Sequence, residues 1–433
     1  MAWPVNGKAR PSTHRGYSGW VSSQTTAAFP WKRNLAVLWA VQVLTTLGFS
    51  FTFPFYPIFF QELGVEGVER AAFWSGASGW MMGVGMGIFA PIWGIVGDRF
   101  GRKLNIVRAM TLAGVLMVLS GYAQTPAQLL VSRFFVGAAS GVVPTIMALV
   151  ASHTPRERLA YATGITMSGL YLGIAIGPVF GGLIFDAFGA RAAFWATGLV
   201  LFAGVLMVLV LVREEFSPAQ ARGRGVLAPL ADLWRMATAR SFLPLLVVLI
   251  LVHGATLLVY PVVPGIVQTI GGGAATATAS GVVFMASGVA SAVSAVLMGW
   301  VAGRLGLRRV VMLAASAAAV AALVPYFAST LVLFVVGMAA MSLFAGGLGG
   351  LVNGLIAVQA PPERQSAAFG AAQSAHAVAI SIGPLMGGAS AVAFGLRSVY
   401  LLDVAAFGLV LLVAVVFLGG ATRVERGDEH AAV

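Results

Sequence analysis

The sequence predicts an all-α membrane protein, with twelve transmembrane helices in two six-helix, pseudo-symmetric bundles. Three observations carry that prediction. Only 9% of the 433 residues are charged and 59% are hydrophobic, against about 25% charged residues in soluble domains. The apolar residues gather into runs long enough to cross about 30 Å of hydrocarbon. The second half of the chain also repeats the first. So few charges cannot cover a soluble body of this size, which excludes a soluble enzyme. Glycine, at 54 residues, is enriched over the usual ~7%, as expected where helices approach closely in lipid.

In chain order, residues 1–33 are polar and carry Lys8, Arg10, Arg15, Lys32 and Arg33. They lack an apolar run with a cleavage site, so they read as a disordered cytoplasmic tail and not as a signal peptide. Twelve apolar spans follow, at about 34–60, 73–96, 104–123, 127–152, 159–185, 191–212, 242–268, 277–302, 308–327, 330–358, 366–393 and 398–419. They are numbered helices 1 to 12. The polar stretch 213–241 reads as a cytoplasmic linker between an N-terminal bundle, 34–212, and a C-terminal bundle, 242–419. Residues 420–433 read as a second cytoplasmic tail.

The 26 Lys and Arg residues set the orientation. Twenty-two lie in the tails or in loops after even-numbered helices, and three (Arg70, Arg191 and Arg397) on the opposite side. Arg133 falls inside helix 4. The positive-inside rule then places both termini in the cytoplasm, in a multi-pass protein of the plasma (inner) membrane. The net charge of +12 is an orientation signal and does not point to nucleic acid. The lipid bilayer is the expected partner. The absence of cysteine excludes disulfides and thiolate metal sites.

The repeat is specific. Phe53, Pro54, Pro57, Gln61 and Gly64 match Tyr260, Pro261, Pro264, Gln268 and Gly271 at an offset of 207. Gly94, Arg99 and Gly101 match Gly299, Arg304 and Gly306 at 205. Gly177, Pro178, Gly181 and Gly182 match Gly383, Pro384, Gly387 and Gly388 at 206, as do Phe188, Gly189 and Arg191 with Phe394, Gly395 and Arg397. Duplicated helical units that rock about a midplane site are the architecture of secondary transporters.

The loop after helix 2 contains Gly94, Gly97, Asp98, Arg99, Gly101, Arg102 and Lys103. It resembles the G-x-x-x-D-R-x-G-R-K/R pattern of the major facilitator superfamily. The resemblance implies that Asp98 meets the start of helix 11, near Pro362 and Glu363, and latches a cytoplasmic gate. An anion is favoured at a helix N-terminus. The bland alternative makes Arg99, Arg102 and Lys103 ordinary membrane anchors. The second copy has Gly303 in place of the acid. Helix 5 carries Gly164, Gly173, Gly177, Pro178, Gly181 and Gly182. That spacing resembles the superfamily's antiporter pattern, which implies proton-coupled export of drug-like molecules. Generic small-residue packing is the alternative.

Helix 4 carries Arg133, Gly137 and Gly141, similar to the superfamily's R-x-x-Q-G motif but with Val136 at the glutamine. Arg133 sits roughly 9 Å into the span at 1.5 Å per residue, a depth at which a charge is costly and usually functional. Snorkelling is the alternative. Helix 1 has no carboxylate. The candidates for proton coupling are therefore His253, His376 and Asp403, of which Asp403 also suits a structural role.

Helices 1, 4, 7 and 10, flanked by 2, 5, 8 and 11, are expected to line a cavity. Its candidate residues include Gln42, Phe53, Tyr56, Met82, Tyr260, Asn353 and Gln373. Sparse polar groups among aromatic and Met side chains suit lipophilic or amphipathic small molecules. Taken over nearly the whole chain, the resemblance implies a monomeric multidrug-type exporter that works by alternating access with protons. A carrier of one metabolite, importing or exporting, is the alternative. A receptor or membrane enzyme would need a polar cluster or soluble domain that the sequence lacks. No nucleotide loop or metal-ligand spacing is present, so no cofactor and no metal are expected.

Overall fold

The structure, a computed structural model, describes residues 31–155, 158–214, 242–273, 276–359 and 365–417. The expected tails (apart from residues 31–33), nearly all of the linker and the start of helix 11 at Pro362 and Glu363 lie outside these residues. Within them are twelve spans. Helices 1 to 6 are Trp31–Glu62, Val68–Gly97, Arg102–Ser120, Pro126–His153, Tyr161–Phe188 and Ala190–Leu211. Helices 7 to 12 are Leu243–Gly271, Thr276–Leu305, Leu307–Phe327, Leu331–Ile356, Gly370–Phe394 and Ser398–Val416.

Buried apolar side chains form two cores. One gathers residues from Leu35 to Val212, and the other from Phe242 to Ala414. Each core borrows one alanine from the other half. Ala277 joins the first and Ala72 the second, and the two are related by the internal repeat.

Helix 9 is interrupted at Ala322, and four further spans are broken in repeat-related pairs. Helix 1 stops at Ser50, makes a short 3₁₀ turn at Phe53–Phe55 and resumes at Tyr56. Helix 7 likewise stops at Leu258 and resumes at Val263. Pro54 and Pro57, like Pro261 and Pro264, remove backbone donors and clash with a continuing helix, so the sequence itself dictates both kinks. Helix 4 breaks between Ala138 and Val142, where Gly141 has φ +122°. Helix 10 breaks between Ala345 and Leu348, at Gly346 and Gly347. Both of these helices begin on a threonine cap: Thr125 accepts from Gln128 N and Thr330 from Leu333 N, each at 3.3 Å.

The two bundles meet along two seams, helix 2 on helix 11 and helix 5 on helix 8. Each seam is backbone against backbone. A Cβ added at Gly388 would lie 2.6 Å from the Ala72 carbonyl oxygen, and one at Gly182 would lie 2.6 Å from that of Ala277. One step along, Gly76 abuts Pro384 and Gly281 abuts Pro178. Further still, Gly83 abuts Ser381 and Gly288 abuts Ala175. Every one of these contacts has its repeat-related twin, so the seams are two copies of one interface about a pseudo-two-fold axis.

The seams close only one end of the molecule. On that end Gln61 Nε2 donates to Gln268 Oε1 at 3.4 Å, again a repeat-related pair. At the other end, which carries the basic loops, Gly94, Gly164, Gly299 and Gly303 have no neighbour within 4 Å of a Cβ position. The halves are thus packed together at the far end and diverge toward the basic end.

Because the seams depend on missing side chains, Gly281→Val should force them apart. Overpacking of this kind costs about 1–3 kcal/mol, so far-end opening should rise about fivefold or more. In this cysteine-free chain the rate of maleimide labelling at Gln268→Cys reads that opening directly. Gly299→Val, which meets open space, should leave the rate unchanged; equal effects from both substitutions would refute the seam.

Candidate functional site

An aromatic row seals the far end between the bundles. Phe53 packs on its repeat partner Tyr260 at 5.3 Å between centroids, and Tyr260 stacks on Phe284 at 4.7 Å. On the other side Phe53 meets Tyr56 edge-on at 6.4 Å. Three expected cavity residues therefore belong to a closure at this end. Phe53 and Tyr260 form it, and Tyr56 lies behind it, 1% exposed.

Tyr56 covers Arg133. The guanidinium carbon lies 4.6 Å from the Tyr56 ring centroid. Arg133 is only 2% exposed, so it does not snorkel. Its hydrogen-bond partners are thioethers: Nη2 reaches Met82 Sδ at 2.6 Å and Nη1 reaches Met117 Sδ at 3.9 Å. Nε has no partner. A buried cation without a counter-ion among the described residues leaves a positive field in the interior. Gly137 brings helix 4 onto the Met82 backbone and so puts Met82 beside Arg133.

The loop after helix 2 does more than anchor. The helix 3 N-terminus is capped by a carboxylate from the chain after helix 6: Glu214 accepts from Arg102 N and Lys103 N, both at 2.8 Å. Arg102 donates to the Ala148 carbonyl near the end of helix 4. Lys103 Nζ donates to Leu209 O at 3.0 Å and Val212 O at 2.7 Å, at the end of helix 6. Cations at helix C-termini are favourable, and the second bundle repeats the device with Arg308 donating to Val415 O at 2.8 Å. Gly101 supplies the tight turn at φ +101°. Arg99 is exposed, with its guanidinium carbon 5.5 Å from the Phe100 ring centroid. The side chain of Asp98 lies outside the described residues, as does its expected partner.

The helix 5 glycines split by depth. Gly173, Gly177 and Gly181 press on helix 1 at Thr46, Ser50 and Phe51, whereas Gly182 and Pro178 face helix 8. Gly164, at the basic end, meets open space. Beyond the pattern, at the end of helix 5, Asp186 reaches across to the other bundle. Its carboxylate accepts from Ala277 N at 3.3 Å and Thr278 N at 2.7 Å, capping helix 8.

In the second bundle the structure brings two candidates together. His253 of helix 7 and His376 of helix 11 are in contact, with ring centroids 4.7 Å apart and planes at 81°. Asp403 is elsewhere, completely buried in helix 12 with both oxygens unpartnered. Its repeat partner is Thr197, whose hydroxyl is hydrogen-bonded to Gly48 O at 2.8 Å and Ala193 O at 2.9 Å. Of the remaining cavity candidates, Gln42 is buried with its amide unpaired. Asn353 is half-buried and Gln373 exposed. Met82 packs on Arg133, as described. The expected cavity set is thus divided between the far-end closure, the N-terminal core and the opening. Among the described residues no three His, Asp or Glu side chains gather as metal ligands.

The profile of the Major Facilitator Superfamily matches residues 38–279 and 245–432. The chain belongs to that superfamily. It is 32% identical over 376 residues to the multidrug resistance protein MdtG of Yersinia enterocolitica, covering 86% of this chain and 89% of that one. It is also 32% identical over 392 residues to MdtG of Escherichia coli, covering 89% and 93%. Among solved structures, it resembles a point mutant of the nucleoside transporter NupG with a TM-score of 0.71 and 14% identity, over 88% of this chain and 99% of that one. A bacterial homologue of the human lysosomal transporter Spinster, described as inward-facing and unoccupied, gives a TM-score of 0.68 at 15% identity, over 90% and 98%. The protein is a superfamily transporter and not an enzyme.

Within this superfamily member, sequence reasoning missed Asp186, Glu214 and Arg108. Arg108 lies 3.5 Å from the Trp93 ring centroid and is held by Asn105 Oδ1 at 2.9 Å, beside the helix 4 break. The signal for Asp186 and Glu214 was present as acids beside helix ends, but their partners lie 91 and 112 residues away. Removing the Asp186 cap should loosen the far end, since caps contribute about 0.5–2 kcal/mol. Asp186→Ala should raise labelling of Gln268→Cys by about fivefold without lowering yield of folded protein. An unchanged rate would show that the cap does not hold the bundles together.

Proposed function

We propose that this transporter exports amphipathic small molecules in exchange for protons, working as a monomer in the plasma (inner) membrane. The basic end is assigned to the cytoplasm by the positive-inside rule, so the far-end closure faces outward and the opening faces inward. The observation that carries the reading is that both seams are shut at the far end while the helices part at the basic end. The helix 5 glycine pattern and the multidrug resistance relatives support export. Rocking about the paired seams then exposes the centre alternately to each face. Asp98 is assigned the latch that holds the cytoplasmic end shut in the opposite state.

Chemistry narrows the cargo. Among the described residues no carboxylate lies near the centre to pair with an organic cation, whereas Arg133 is buried and uncompensated. Neutral or anionic amphiphiles fit this interior better than lipophilic cations, with Met and aromatic side chains adapting to their apolar bodies. Asp403 is assigned a structural role, because it occupies the position at which Thr197 bonds helix 6 to helix 1 in the first bundle.

Everted membrane vesicles loaded with a proton gradient test the function. Carboxyfluorescein should accumulate on energisation and ethidium should accumulate at least about tenfold less, the ratio that roughly 1.4 kcal/mol of preference gives. Asp98→Asn should abolish accumulation while leaving insertion intact. No gradient-dependent movement of any dye in a wider panel would overturn export. Asp403→Thr should retain most of the wild-type accumulation, and loss of transport by folded Asp403→Thr protein would overturn the structural assignment.

A further inference from the structure

We infer that His253 and His376 act as one proton-binding unit that carries a single proton per transport cycle. The inference rests on the proton-coupled reading above and deepens it. Four observations converge.

The rings meet edge to face, 4.7 Å apart at 81°. One imidazolium set against the face of a neutral imidazole is a favourable arrangement, because the aromatic face is electron-rich. Two imidazoliums at that separation repel each other in a low-dielectric interior. The pair therefore accommodates one positive charge far better than two.

The tautomer of His253 is set by its surroundings. Nδ1 lies 3.0 Å from Leu249 O, and a carbonyl only accepts, so Nδ1 carries the hydrogen and Nε2 keeps the lone pair. Protonation then occurs at Nε2, with no bond broken and Nδ1 still donating to Leu249.

The rings are held by packing on three helices. Helices 7 and 11 approach closely: a Cβ at Gly383 would lie 2.7 Å from Gly254 O, and Gly387 abuts Leu258 O. On the third side is the second half of helix 10, which resumes at Leu348, where a Cβ at Gly349 would lie 2.8 Å from His253 Cε1 and 3.1 Å from Nε2. The protonating edge thus faces the backbone of helix 10 at Gly349, where no side chain intervenes.

Among the described residues no charged group competes. Helix 7 otherwise carries Tyr260, which is in the far-end closure, and helix 10 carries no titratable side chain. Helix 12 presents Tyr400 and Asp403, both buried, with Tyr400 donating to Met338 Sδ at 3.3 Å. Helix 2, which packs on helix 11, has Glu69 and Arg70 at its far end and Asp98 and Arg99 at its basic end. The repeat supplies the contrast: the positions equivalent to His253 and His376 are Thr46 and Leu170. The duplicated scaffold therefore does not itself require two imidazoles here.

The test uses full-length protein in proteoliposomes and detergent, with His253→Gln, His376→Gln and the double variant. Each single variant should lose gradient-driven carboxyfluorescein transport by about tenfold or more. Energy-independent dye exchange should persist, and the double variant should be no worse than either single. In ¹³C-histidine-labelled protein, the two ring signals, identified by their loss in the variants, should move together in a first step. A second step should follow at a pH about two units lower or more, as for like charges sharing a site. Gly349→Ala, which pushes on the His253 ring, should impair gradient-driven transport while sparing exchange. Retained gradient-driven transport in the double variant, or two independent titrations with one midpoint, would overturn the shared site while leaving export intact. A wild-type protein that moves dye without responding to a proton gradient would overturn the coupled reading and this inference together.

Discussion

Everything in this molecule hangs on helices touching backbone to backbone. In lipid the tails are as apolar as leucine, so burial of apolar side chains does not drive helices together, and close packing has to. The seams of helices 2 and 11 and of helices 5 and 8 achieve it with glycine at every level of contact, from Gly388 and Gly182 at the far end to Gly83 and Gly288 nearer the middle. The consequences follow in order. Close seams bring Phe53 onto Tyr260, that pair hides Tyr56, and Tyr56 with Met82 hides Arg133. They also bring helix 8 within reach of Asp186.

The internal repeat separates what the fold needs from what transport needs. Kinks at the paired prolines, seam glycines, threonine caps and the clamps made by Lys103 and Arg308 occur in both halves, which marks them as scaffold. Among the departures from symmetry are groups that carry charge or a titratable ring. Arg133 and Asp186 belong to the first half, and the histidine pair and Asp403 to the second. The two bundles are thus alike in architecture and unlike in chemistry, with a fixed cation on one side of the centre and proton-accepting imidazoles on the other.

Much of this was legible in the sequence, for physical reasons. Apolar runs of membrane length foretold the twelve helices, because in a bilayer each helix must satisfy its own backbone. The same signals could not show that Phe53 and Tyr260 close the far end, since contact between bundles depends on which of two packings the chain adopts. Arg133 was recognisable as costly by its depth, but its thioether surroundings come from other helices. His253 and His376 were each visible as isolated titratable groups. Their contact across 123 positions follows from the glycines that let helices 7 and 11 approach. Glu214 looked like part of a polar linker, and only the folded chain brings it to the start of helix 3.

The Asp186 bond also makes the two seams mechanically unequal. The position that repeats Asp186 in helix 11 is Val392, which has no carboxylate to offer the start of helix 2. Among the described residues, one edge of the interface is therefore pinned by charge and the other is held by van der Waals contact. Parting the far end at helices 5 and 8 therefore means giving up the two bonds of the Asp186 cap, a cost that the edge at helices 2 and 11 does not share.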